Sequence, residues 1–472
     1  MTTRVLLVTT NGTGMGHLAR MTAVALAGKR TGEIEPFILT MSVAAPMAAQ
    51  MGIPVEYCPS TQRGWHAHWE WDAYLRERLA LLIEHLNIDV VMFDGVMPYD
   101  GLLAVMPQFP RVRFVWCRRG MWRRDAKVAR RALARARFFD AVIEPGDLAS
   151  SADNGRTAKA VNVIRTSSVS LTADVDMLPR DAARAELGLD ASGRYVFFAF
   201  GSGLTGDSAT VLRALVSAAT LHRSTNAVSG SPWQAWQVAT VKPWRDAQAA
   251  AGVLYIDRVF PLVRYLRAFD AVVTSAGYNA VHEFVSAGMP CVVVPNSASV
   301  TDDQEARAGQ LQLQGLALTS SASAEPLNHA FSALLDGWVP TNTAPACNGS
   351  AEIATVLATL AARTDSPELS GAAVGEMSRQ QSRIDTKLAL MRLVGPVLIS
   401  ALRRLRGRRS AAIAVNAVVI TDDLAQVAAH PADAAIEHLI TTNHSLTSGP
   451  STAVAYERAR RELVRKVYSS RL

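Results

Sequence analysis

Cysteine is scarce, with four in 472 residues. Cys58, Cys117, Cys291 and Cys347 lie far apart, form no CxxC pair and sit in no Cys/His cluster. Neither a zinc site nor a disulfide framework is indicated, and most of the four read as small buried hydrophobes. Charge is thin as well: 19% of residues are Asp, Glu, Lys or Arg against 49% hydrophobic, enough apolar mass to bury two sizeable cores. No apolar run reaches the ~18–20 residues that a spanning helix needs. The N-terminus runs into a strand rather than a cationic and apolar leader, so a cytoplasmic location is expected. Two phosphate-binding fingerprints are missing too. The glycines near the N-terminus do not spell GxGxxG, and no Lys-Ser or Lys-Thr completes a P-loop, which disfavours nicotinamide enzymes and P-loop NTPases.

What the chain does contain is concentrated between Phe269 and Pro295. Ala271 to Thr274 is an apolar run of the kind that forms a buried parallel strand, and Ser275-Ala276-Gly277 is a small-residue turn. Asn279 to Ala287 has helical alternation, ended by Gly288 and followed by Pro290. A helix opening behind such a turn offers backbone N–H groups and a positive dipole end to a phosphate. Glu283, two turns in, is placed to accept from ribose hydroxyls. The plainer alternative is a βαβ unit with a surface glutamate.

The N-terminus supplies a counterpart. A β-rich strand, Arg4 to Thr10, leads into Asn11-Gly12-Thr13-Gly14-Met15-Gly16-His17-Leu18-Ala19-Arg20. A histidine at the start of a first helix, beside a flexible turn at a strand's carboxyl end, sits where open α/β sheets place reacting groups. Asp94 closes a second apolar run, Val90 to Phe93. As alternatives, His17 is a polar turn residue and Asp94 a helix cap.

Together these segments resemble the GT-B glycosyltransferases, in the branch of the lipid II-forming N-acetylglucosaminyltransferase and the plant galactolipid synthases. The resemblance spans roughly residues 4 to 325. The first loop corresponds to the branch's GGTGGH, interrupted here by Met15. The second motif, S-x-G-x-x-T-x-x-E, then A-G-x-P, then D-x-Q, is met by Ser275, Gly277, Glu283, Ala287-Gly288-Met289-Pro290 and Asp302-Asp303-Gln304-Glu305, with Ala280 in the threonine's place. The resemblance implies an α/β fold of two Rossmann-like domains, their parallel sheets facing each other across a cleft. It also implies a UDP-sugar donor, inversion at the anomeric carbon, no divalent metal and no cofactor. His17 and Asp94 become the catalytic candidates, with either as the base or Asp94 orienting His17. Gly12, Thr13, Gly14, Gly16, Gly201, Ser202, Gly203, Phe260, Ser275, Ala276, Gly277, Asn279, Glu283, Asp303 and Gln304 become donor-binding candidates. Thr301-Asp302-Asp303 falls where the family contacts donor-sugar hydroxyls rather than a metal.

The remaining strand and helix signals divide the chain into an N-terminal acceptor-side domain at 1–167, a linker at 168–179 and a nucleotide-sugar domain at 180–363. A Ser-, Glu- and Gly-rich linker at 364–382 and a basic, mostly helical extension at 383–472 follow. The aromatic stretch Gln62 to Trp71, including Trp65 and His66, is either an acceptor lid or core for the next helix. Two basic stretches, Arg111 to Arg137 and Arg383 to Arg409, flank apolar residues and fit peripheral docking on anionic lipid, with Arg118 and Arg119 expected near the acceptor, itself expected to be lipid-linked; the alternatives are solvated helix faces or direct binding of an anionic acceptor. The pI near 9.4 comes with no nucleic-acid-reading module. Within the same fold, Gly14 to Arg20 also resembles the GxGHxxR loop of a UDP-releasing hydrolase of nonulosonate synthesis. A non-hydrolysing epimerase and a non-catalytic nucleotide-sugar-binding subunit are further alternatives.

Overall fold

The computed structural model describes residues 2–10, 15–61, 68–200, 206–228, 236–241, 250–257, 259–363 and 372–387. Two compact units divide the chain, one of 1–60, 88–98 and 111–369, the other of 61–87, 99–110 and 370–472.

The first unit carries two wholly parallel sheets. One has seven strands: β1 (Thr3–Thr9), β2 (Ile34–Thr40), β3 (Val55–Tyr57), β4 (Val90–Asp94), β5 (Arg113–Cys117), β6 (Ala141–Pro145) and β7 (Ile164–Thr166), in the order β3-β2-β1-β4-β5-β6-β7. The other has six: β8 (Arg194–Ala199), β9 (Trp236–Val241), β10 (Val253–Ile256), β11 (Ala271–Ser275), β12 (Cys291–Val294) and β13 (Leu318–Thr319), in the order β10-β9-β8-β11-β12-β13. Central strands of parallel sheets are covered on both faces and therefore read as unbroken apolar runs. Val5 to Val8 and Cys291 to Val294 are such runs, and all eight side chains are buried. The expected architecture of two Rossmann-like parallel sheets with helices is thus present. The short strands β7 and β13 carry no such run, and sequence periodicity does not announce them.

The helices are α1 (Gly16–Thr31), α2 (Ala45–Ala49), α3 (His68–His85), α4 (Asp100–Val105), α5 (Ala129–Leu133), α6 (Arg180–Leu187), α7 (Gly206–Val228), α8 (Tyr278–Phe284), α9 (Gln304–Leu313), α10 (Ala324–Leu335) and α11 (Gly349–Ala361). Helix α11, although it follows the second sheet in sequence, packs on α1 beside the first. Glu352 fixes it there by accepting from the Ser167 backbone N–H at 2.8 Å and hydroxyl at 2.6 Å. The chain thus returns to the first sheet through this helix.

The second unit brings α3, α4 and a helix at 372–387 together. Trp71 is fully buried, edge-on to Tyr99 at 4.6 Å, and belongs to core rather than to a lid. Asp72 Oδ1 accepts from the Gly101 N–H at 2.9 Å, and Arg76 donates to Asp385 at 2.6 Å. Residues 372–382 of the stretch expected as linker are helical, and the helix runs on to 387, because Ala373, Met377 and Ile384, at i, i+4 and i+11, form one buried stripe. Trp65, His66 and the extension from 388 onward lie outside the described residues.

Candidate active site

In the first sheet the strand order reverses between β1 and β4, and Asp94 is the last residue of β4, in register with Thr9. Open parallel sheets bind ligands at strand carboxyl ends beside such a reversal. His17 lies in the first turn of α1 and Arg20 three residues on, so both project from one helix face. His17 Nδ1 stands 3.2 Å from Asp94 Oδ2. Arg20 Nη2 donates to Asp94 Oδ1 at 2.9 Å and Oδ2 at 2.8 Å, and lies 3.0 Å from His17 Nδ1. Asp94 is only 1% exposed while His17 is 16% exposed, so of the two only the imidazole can meet a ligand.

The electrostatics follow from burial and these contacts. Burial alone would raise the Asp94 carboxyl, but the charges of Arg20 and His17 outweigh it and hold the group at about 2. Burial lowers the His17 imidazole below its ordinary 6.5 against the pull of Asp94, with the Arg20 and Arg119 cations assisting the fall. At neutral pH the pair is therefore a carboxylate and a neutral ring.

In the second sheet the reversal falls between β8 and β11. Ser275 ends β11, Ala276 is buried, and Gly277 in extended conformation precedes α8. Asn279 and Glu283 lie on α8, where Asn279 Oδ1 accepts from Arg20 Nη1 at 3.2 Å. Gly16 makes this approach possible, since a Cβ there would stand 2.7 Å from Asn279 Nδ2. Glu283, Asn279, Ala19, Arg20 and Ser170 line one small recess. Glu283 is half-buried, and its carboxyl, which has no hydrogen-bond or ion-pair partner among the described residues, is pushed up to about 7 by burial. Phe260 packs on the core and precedes Pro261 through a cis peptide.

A second network ties the 119–123 loop to the 301–307 segment. Arg307 is fully buried: Nε donates to Asp147 at 2.9 and 3.2 Å, Nη2 to Asp302 at 2.8 Å and Nη1 to the Ala276 carbonyl at 2.8 Å. Arg119 stands 3.5 Å from Asp302. The backbone pairs alongside, with Arg123 N–H donating to Thr301 O at 2.7 Å and Asp303 N–H to Met121 O at 2.8 Å. Tyr278 OH donates to Gly146 O and accepts from Val169 N–H, each at 2.9 Å.

Several expected ligand contacts are therefore engaged internally. Asp303 caps α9 by accepting from Ala306 N–H at 3.1 Å, and Gln304 accepts from Asn296 N–H at 3.0 Å. Arg118, expected near an acceptor, is 1% exposed and ion-paired with Glu144, so its charge is spent inside the fold. Met121 and Trp122, the apolar pair of the first basic stretch, are buried and present no face to a lipid surface. Gly12, Thr13, Gly14, Gly201, Ser202 and Gly203 lie outside the described residues. Among the described residues, no group of three or more His, Cys, Asp or Glu is placed to hold a metal ion, and no helix is long and apolar enough to cross a membrane. Arg20 was not among the expected site residues, though its i+3 spacing from His17 is a signal for it. Arg307 and Asp147 lie 160 positions apart, and no local pattern joins them.

Residues 252–337, from β10 to just past α10, match the glycosyltransferase family 28 C-terminal domain. The chain thus carries a glycosyltransferase domain. No curated protein matches it in sequence. Among solved structures, a putative UDP-N-acetylglucosamine 2-epimerase from Listeria monocytogenes is similar at 13% identity and a TM-score of 0.53, covering 78% of this chain and 99% of its own. MurG of Acinetobacter baumannii is similar at 16% identity and a TM-score of 0.46, with 75% and 99% covered. The spinosyn rhamnosyltransferase SpnG, complexed with thymidine diphosphate, shows 18% identity and a TM-score of 0.45, with 75% and 95% covered.

Proposed function

We propose that this chain transfers a sugar from a UDP-sugar to an acceptor hydroxyl, with inversion at the anomeric carbon and without a divalent metal. The observation that carries this reading is the His17–Asp94 pair at one switch point, joined through Arg20 to the family-28 domain at the other. Asp94, buried and ionised, favours the tautomer with hydrogen on His17 Nδ1 and so leaves the Nε2 lone pair free. As the acceptor oxygen bonds to the anomeric carbon, His17 Nε2 takes its proton, and the carbon–oxygen bond to the diphosphate breaks with its electron pair leaving on the diphosphate. Backbone donors of the Ser275–Gly277 turn and the α1 start, which has no acidic residue in its first turn, receive that charge. Glu283, unpartnered and beside Asn279, is assigned the ribose hydroxyls. In this reading Asp94 orients the base and does not itself take the proton.

The acceptor assigned here is lipid-linked, as the resemblance implies, with peripheral membrane contact through the basic segment from Arg383. A second reading, hydrolysis with water as acceptor, is favoured by Arg20 standing in the pair as the last residue of the GxGHxxR loop. UDP release from a panel of UDP-sugars, with EDTA present and with or without membrane lipid extract, separates the two. Lipid-dependent release supports transfer, acceptor-independent release supports hydrolysis, and no release with any donor refutes both. His17→Ala is expected to lower kcat by ~10²–10⁴.

A further inference from the structure

Arg20 makes more contacts than a helix-face arginine needs. Its guanidinium is 3% exposed, and one nitrogen, Nη2, serves both Asp94 oxygens while standing beside His17. The other, Nη1, reaches across to Asn279 on α8. The group lies 5.3 Å from the Tyr278 ring centroid, and its Nε has no partner among the described residues. An arginine buried with one donor unpaired is costly unless its other bonds do something a smaller residue would not. Here those bonds join the end of β4 to the first turn of α8 through a single planar group, which a lysine's point charge would not reproduce.

We propose that Arg20 is a positioning residue, which orients the His17–Asp94 pair and couples that orientation to the seating of α8 through Asn279. The proposal rests on the transfer reading for its kinetic consequence, but not for its structural content. The charged or titratable groups facing His17 and Arg20 are Asp94 on β4, Cys117 at the end of β5, Arg119 beyond it, Tyr278 on α8 and Glu283, which lines one recess with Arg20 and whose own titration is separated from that of His17 by following the ring resonance. Of these, Asp94 draws a proton towards the pair, and Arg20 and Arg119 oppose it. Replacing Arg20 by methionine removes one of the two opposing cations, so the pair takes up its proton at higher pH.

The test compares wild type, Arg20→Met, Arg20→Lys, His17→Ala and the His17→Ala/Arg20→Met double variant. In Arg20→Met the acid limb of the kcat profile is expected to rise by about one pH unit, and kcat at neutral pH to fall about a hundredfold. Arg20→Lys, which keeps the charge but loses the fork, is expected to hold the acid limb in place while still losing rate. Because Arg20 acts through His17, adding Arg20→Met to His17→Ala should cost less than about threefold more. The His17 ring resonance, identified by its loss in His17→Ala, gives the same pH shift by NMR titration without turnover. An upward shift in Arg20→Met with no measurable activity in wild type would sustain the proposal and sink the transfer reading. An unmoved titration, or rate losses that multiply fully in the double variant, would overturn the proposal.

Discussion

Asp302→Asn tests whether the 119–123 and 301–307 segments are held together by charge. Asp302 is 10% exposed and accepts from Arg307 at 2.8 and 3.1 Å, with Arg119 at 3.5 Å. Burial alone would raise its carboxyl, but Arg119 and Arg307 hold it at about 2 against an ordinary 3.8. That lowering favours the ionised, folded form by about 2 kcal/mol. The amide keeps the shape and one acceptor but not the charge, so the variant is expected to lose about 2 kcal/mol of unfolding free energy at pH 7. A depressed carboxyl stabilises above its unfolded value and ceases to as pH falls from 3.8 towards 2. Between pH 4 and 2 the wild type should therefore lose roughly 2 kcal/mol more than the variant. Urea unfolding at pH 7 and at steps down to pH 2, fitted with a common slope, measures both differences. A variant within about 0.5 kcal/mol of wild type at pH 7, with a parallel acid profile, would show that the two arginines do not stabilise this carboxylate and would refute the reasoning.

Glu283→Gln should trade stability against donor binding. A carboxyl raised from 4.5 to about 7 weakens the fold as pH climbs through that window, so the amide is expected to add about 1–3 kcal/mol at pH 8 and little at pH 4. Its KM for the UDP-sugar should rise; an unchanged KM would remove Glu283 from the ribose. Tyr278→Phe strips the hydroxyl shared by Gly146 O and Val169 N–H, leaving two buried backbone groups unpaired. A loss of about 1–3 kcal/mol is expected by thermal or urea unfolding, and a neutral result would mean that water replaces the hydroxyl.

Much was legible from local pattern, because parallel strands buried on both faces must be apolar along their length. Val5 to Val8, Val90 to Phe93, Ala271 to Thr274 and Cys291 to Val294 declare themselves in this way, and the glycine turn at Gly277 announces the helix that follows it. His17 and Asp94 could each be picked out as the residue at a strand's carboxyl end or just beyond. Two-residue β13 and three-residue β7 could not, being too short to have a period, and the buried stripe at Ala373, Met377 and Ile384 was masked by Ser, Glu and Gly between its members.

By itself the sequence determined alternating strands and helices of parallel-sheet type and the residue types standing at the strand ends, since each depends on neighbours a few positions away; the order of the strands, and so the switch points, came from the tertiary structure. Only the tertiary structure decided which of those residues meet. His17 reaches Asp94 across 77 positions, Arg20 reaches Asn279 across 259, and Arg307 gathers Asp147 from 160 away. It also turned Arg118, Asp303 and Gln304 inward, to an ion pair, a helix cap and a loop staple. The physical reason is that a buried charge or polar group takes whichever partner the packing of distant elements brings within 3 Å or so, and no spacing along the chain encodes that meeting.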